Sequence, residues 1–89
     1  MKFVLRYESP AELDMEKVGA HFEAHRALWQ AFQERGTLLL IGPFADPRDG
    51  AMGVFTTQEA AEEFVATDPF VLNGVVAAWT ITAWDEVLL

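Results

Sequence analysis

The sequence predicts an α+β fold of βαββαβ order with a four-stranded antiparallel sheet. Three observations carry this expectation. The chain opens on a short run of β-formers, its apolar period then changes to steps of three and four, and the same strand-then-helix order recurs in the second half around two closely spaced strands.

FVLRY, residues 3 to 7, reads as the first strand, with Phe3, Leu5 and Tyr7 on one face and Val4 and Arg6 on the other. Ser9-Pro10 breaks it. From about Asp14 to Arg35, Met15, Val18, Phe22, His25, Trp29 and Phe32 form one apolar helical stripe with a histidine inside it. Gly36 suits the left-handed position that ends a helix. TLLLI, residues 37 to 41, reads as a buried strand that Gly42-Pro43 stops or bends. ADPRDG, residues 45 to 50, has turn chemistry, and AMGVF, residues 51 to 55, returns as a strand close enough for a hairpin. Thr56, with Glu59 three residues on, has the pattern of a capping box opening a helix that runs to about Thr67. Asp68-Pro69 opens a short helical turn that Asn73-Gly74 ends. VVAAWTITAW, residues 75 to 84, is the last strand, in which Trp79, Ile81 and Ala83 alternate with Thr80, Thr82 and Trp84.

This order is the split, ferredoxin-like arrangement, with both helices on one face of the sheet. The other face carries apolar residues too, so a second copy packing sheet to sheet is expected to cover it. The 89 residues make one domain, 1–89, whose core is thin: a chain this short buries only about 60% of its unfolded surface.

Composition excludes several functions. Six basic against fourteen acidic residues, net −8, disfavour nucleic acid and anionic membranes as partners. With no cysteine there are no disulfides, thiolate nucleophiles or cysteine zinc sites. MKFVLRYESP has too short an apolar run for a signal peptide, and no stretch is long enough to cross a bilayer, so the expectation is a soluble, cytoplasmic protein. No phosphate-cradling glycine loop is present, and no cofactor is expected.

The candidate chemistry centres on His25. An imidazole among Val18, Phe22 and Trp29 must satisfy its N–H and its lone pair. A carboxylate partner would do so and would make a general base near neutral pH; a backbone carbonyl would make it a plain core histidine. Asp68 is the candidate carboxylate, and also reads as an N-cap, one oxygen capping while the other reaches His25. His21 and His25, four apart, could both reach one metal ion, but HFEAH lacks the glutamate that follows the first histidine in zinc proteases, and no metal site is expected. Arg6 and Tyr7 could offer a cation and a hydroxyl to a ligand's anionic oxygen, or pair on the sheet. Gly42 and Pro43 could let a ligand approach the backbone, and Trp29, Phe70 and Trp84 could supply its contact area.

His25 eleven residues before Gly36, LLLIGP at 38 to 43, the strand start at Gly50, DPF at 68 to 70 and the AWTITAW strand together resemble the YciI-like (YCII-related) family, over nearly the whole chain. The resemblance implies the dimeric α/β-barrel arrangement, in which two ferredoxin-like subunits pack their sheets together. It also implies a His–Asp active-site pair at His25 and Asp68. One relative is a dehydrochlorinase acting on a chlorinated hydroxyhydroquinone, and muconolactone isomerases share the wider fold. Phe22 departs from the family pattern, which often has a basic residue one turn before the histidine, and this implies a less charged substrate. Two functions are therefore expected: an enzyme using His25 and Asp68 for elimination or isomerisation of a small cyclic or enolisable molecule, or a non-catalytic small-molecule-binding or accessory dimeric domain.

Overall fold

The computed structural model describes residues 1–87. Strand β1 (Lys2–Glu8) leads to helix α1 (Met15–Glu34), strand β2 (Leu38–Pro43), a 3₁₀ turn (Pro47–Asp49) and strand β3 (Ala51–Phe55). Helix α2 (Gln58–Thr67), the single turn α3 (Pro69–Leu72) and strand β4 (Ala78–Trp84) follow. The strands lie in the order β2-β3-β1-β4, all pairs antiparallel, as the βαββαβ reading requires.

Local chemistry sets the ends. Asp14 caps α1 by accepting from the Lys17 N–H at 3.1 Å. At the other end Gly36, at φ 81, closes the helix: its N–H donates to Gln33 O and that of Thr37 to Phe32 O. Three boundaries differ from the sequence reading. The cap of α2 is Thr57, whose hydroxyl accepts from Ala60 N–H at 3.1 Å, because the Thr56 N–H is still bound to Thr37 O at the end of the sheet. Strand β2 continues through Gly42 and Pro43; it is an edge strand, where proline's missing N–H leaves no ladder bond broken. Strand β4 starts at Ala78 rather than Val75, because the N–H groups of Val75 and Val76 turn back to Phe70 O.

Alternation along β1 decides what each sheet face carries. Leu5 and Tyr7 point toward the helices and are buried, while Lys2, Val4 and Arg6 point the other way. The largest fully buried side chains lie where the end of α1 meets α2 and the sheet. There Phe32, Phe55 and Phe64 form an aromatic cluster with centroids 5.3 to 6.4 Å apart. Ala60 and Ala61 let α2 lie close on this cluster. Of the α1 stripe only Phe32 is fully buried; Phe22 is 44% exposed and Met15 62%. The first turns of α1 therefore overhang the sheet without filling the space beneath them. A hollow of about 710 Å³ remains between α1 and strands β1, β2 and β3.

On the helix-free face, Leu40, Val54, Val4 and Thr82 fall in one row across the sheet, and Trp84 pairs beside Lys2. Leu40 is 69% exposed there and Trp84 is half exposed.

Candidate active site

The hollow has one polar centre, and it is built on three elements. His25 comes from the middle of α1, Asp68 from the joint between α2 and α3, and Tyr7 from the central strand β1. Asp68 is completely buried, so its carboxylate needs donors. It has three: the Tyr7 hydroxyl donates to Oδ2 at 2.6 Å, while the Phe70 N–H at 3.0 Å and His25 Nδ1 at 2.8 Å both meet Oδ1. The sequence reading divided capping and histidine contact between the two oxygens. In the structure one oxygen does both, which leaves the second for Tyr7.

An oxygen that faces two nitrogens and accepts from one amide accepts from the imidazole also, so the network assigns the proton of His25 to Nδ1. Nε2 is then the nitrogen with a free lone pair. Among the described residues it has no protein partner, and it is not a sealed atom. His25 lines the hollow. Its ring lies flat on Phe70, with centroids 3.9 Å apart and planes 10° apart, and Phe64 meets it edge-on. Carboxylate and stack together fix both the edge and the plane of the imidazole.

Burial, then the Asp68 charge, then the hydrogen bond to it push the Tyr7 hydroxyl well above the ordinary phenol range. Tyr7 donates its hydroxyl proton to Asp68 and also lines the hollow. Its signal in the sequence was its inward position beside Leu5: a buried tyrosine must find a polar partner, and Asp68 is the one it meets. Gly50 supports it from behind. It has φ 98, and a Cβ there would run into the Tyr7 carbonyl oxygen, so only glycine lets β3 start against β1 at this point.

Trp29, Gly42, Pro43 and Phe70, expected near a ligand, all line the hollow. Arg6 and Trp84 do not. Strand alternation turns both to the helix-free face, where the Arg6 guanidinium lies 5.8 Å from the centre of the Phe44 ring and Trp84 pairs beside Lys2. Neither lies on the wall of the hollow beside His25. The sequence reading also missed much of the apolar wall, including Leu39, Ile41 and Val76. No group of three or more His, Cys, Asp or Glu residues converges on a possible metal position among the described residues.

The chain belongs to the YCII-related domain family, whose pattern matches residues 1–85. Among solved structures it is similar to the 5-chloro-2-hydroxyhydroquinone dehydrochlorinase (TftG) of Burkholderia phenoliruptrix, determined in complex with 2,5-dihydroxybenzoquinone. The TM-score is 0.77 at 20% identity, with 98% of this chain and 96% of that one covered. No curated protein matches the chain.

Proposed function

We propose that the protein is a small-molecule enzyme that moves a proton with His25, held by Asp68, in an elimination such as dehydrochlorination or in an isomerisation or lactone reaction. The substrate is small and cyclic or enolisable. The observation that carries this reading is the 2.8 Å contact between His25 Nδ1 and a fully buried Asp68 at the wall of an open hollow. Nε2 takes a proton from a substrate carbon or hydroxyl. In elimination, the electron pair released forms the new double bond and the leaving group departs with its own bonding pair. In isomerisation, the proton returns at another carbon. Asp68 holds the ring in the Nδ1–H tautomer and stabilises the imidazolium that forms, and Tyr7 and Phe70 position Asp68 and the ring. The likeness to a dehydrochlorinase in fold and length supports elimination as the first chemistry to test.

Two copies pack their helix-free faces together, which covers Leu40 and Trp84 and leaves each hollow on the outside of its own sheet. The test of the enzyme reading is turnover of a panel of halogenated hydroquinones and lactones by the wild type and by His25→Ala. If proton transfer limits the rate, His25→Ala loses about 10²–10⁴-fold. A folded His25→Ala protein that keeps full activity on a substrate found this way sinks the reading.

A further inference from the structure

The hollow beside His25 has a charge pattern that proton transfer alone does not require. Among the described residues its wall holds no lysine and no arginine. The ionisable side chains on it are His25, Tyr7, which is already bound to Asp68, and the exposed Glu8. Arg6 lies across the sheet. Lys17 lines a smaller neighbouring hollow, but Glu12 and Asp14 line it as well. The chain as a whole carries −8, so its field opposes an approaching anion. A carboxylate or phosphate entering the hollow would give up its water and meet no cation in exchange.

Size points the same way. About 710 Å³ falls within the roughly 300–1,000 Å³ of sites that hold drug-sized ligands. His25 supplies polarity at one wall, while the apolar wall runs from Trp29 and Ile41 to Leu13 and Val75. A single ring placed against the imidazole would leave most of that surface uncovered.

We infer that the hollow selects an uncharged, largely apolar molecule bigger than one ring, with one hydroxyl or acidic C–H set against His25 Nε2 and a second ring or hydrocarbon tail in the apolar remainder. The polar end of this assignment rests on the His25–Asp68 reading; the selection by charge and size is read without any turnover.

The experiment is calorimetric titration of the wild-type protein at neutral pH with 2-naphthol, 2-naphthoate and a series of 4-alkylphenols. The naphthol should bind about tenfold or more tightly than the naphthoate, which carries the same fused rings and a negative charge. Each added methylene should tighten an alkylphenol by about fourfold, the ~0.8 kcal/mol of a buried CH₂, until the hollow is full. Phe22, half exposed and one turn before His25, lines the same wall, so Phe22→Arg should raise naphthoate affinity selectively. Naphthoate binding as tightly as naphthol, an alkyl series without slope, no binding by any of these molecules, or an unchanged preference in Phe22→Arg overturns the inference. Selective binding that His25→Ala leaves unchanged for naphthol and naphthoate alike would instead count against the His25–Asp68 reading alone.

Discussion

The hydroxyl of Tyr7 lies 2.6 Å from Oδ2 of Asp68, tying the central strand to the joint between α2 and α3. Removing it should leave a buried carboxylate oxygen without a donor. Tyr7→Phe is therefore expected to lose about 1–3 kcal/mol in urea unfolding. It should also slow turnover while leaving the fold intact by circular dichroism, because it loosens the group that orients His25.

The same tyrosine sets a pH dependence. Its folded-state value is raised, first by burial and then by Asp68, above the unfolded value of about 10. Below pH ~10 both states keep the proton and the contribution is complete. Above it the unfolded chain releases a proton that the native state retains, so stability falls by about 1.4 kcal/mol per pH unit from this residue. Urea midpoints of wild type between pH 9.5 and 11.5, an interval chosen around the ordinary phenol value of about 10, should show this slope, and Tyr7→Phe should lack one proton's worth of it.

Phe70 lies under the imidazole with ring planes 10° apart. Phe70→Leu keeps apolar bulk and removes the stack. It should cost about 0.5–1.5 kcal/mol of stability and broaden or shift the His25 ring resonances, with those of His21 unmoved.

Gly50 and Gly36 both have positive φ, but only at Gly50 does a Cβ meet backbone, that of Tyr7. Gly36→Ala should cost about 1–2 kcal/mol, the ordinary left-handed penalty. Gly50→Ala should cost more than that and should disturb the Tyr7 amide in an HSQC spectrum. Equal costs would mean that the contact with Tyr7 relaxes freely.

The proposed sheet-to-sheet dimer predicts twice the chain mass in sedimentation at micromolar concentration. Trp84→Glu, on the helix-free face and half exposed, should shift the mass toward the monomer without unfolding it. A monomeric wild type would contradict the dimer while leaving the site in each subunit as described.

The order of elements and the α1 stripe were legible because apolar period and cap residues are local signals: Asp14 and Gly36 end α1 where their chemistry says. Thr57 was not, since two threonines in a row compete and the choice depends on a sheet bond from Thr56 to Thr37. His25 stood out because it breaks an apolar stripe, and Asp68 because an aspartate before proline caps a helix. That the two meet depends on how α1 lies beside α3, which no local pattern encodes. Arg6 and Trp84 lie away from the hollow because proximity along a strand says nothing of the face; the register with Leu5, Tyr7 and Lys2 decides it.

The proposed chemistry requires that Asp68 hold His25 with its proton on Nδ1 and its Nε2 lone pair toward the hollow. Long-range ¹H–¹⁵N correlation of the histidine side chains at a pH where His25 is neutral reads this tautomer directly. The expected spectrum has an Nδ1–H pattern for His25 that is lost or mixed in Asp68→Asn, with His21 unchanged. An Nε2–H pattern for His25 in the wild-type protein, or one indifferent to Asp68→Asn, would contradict it.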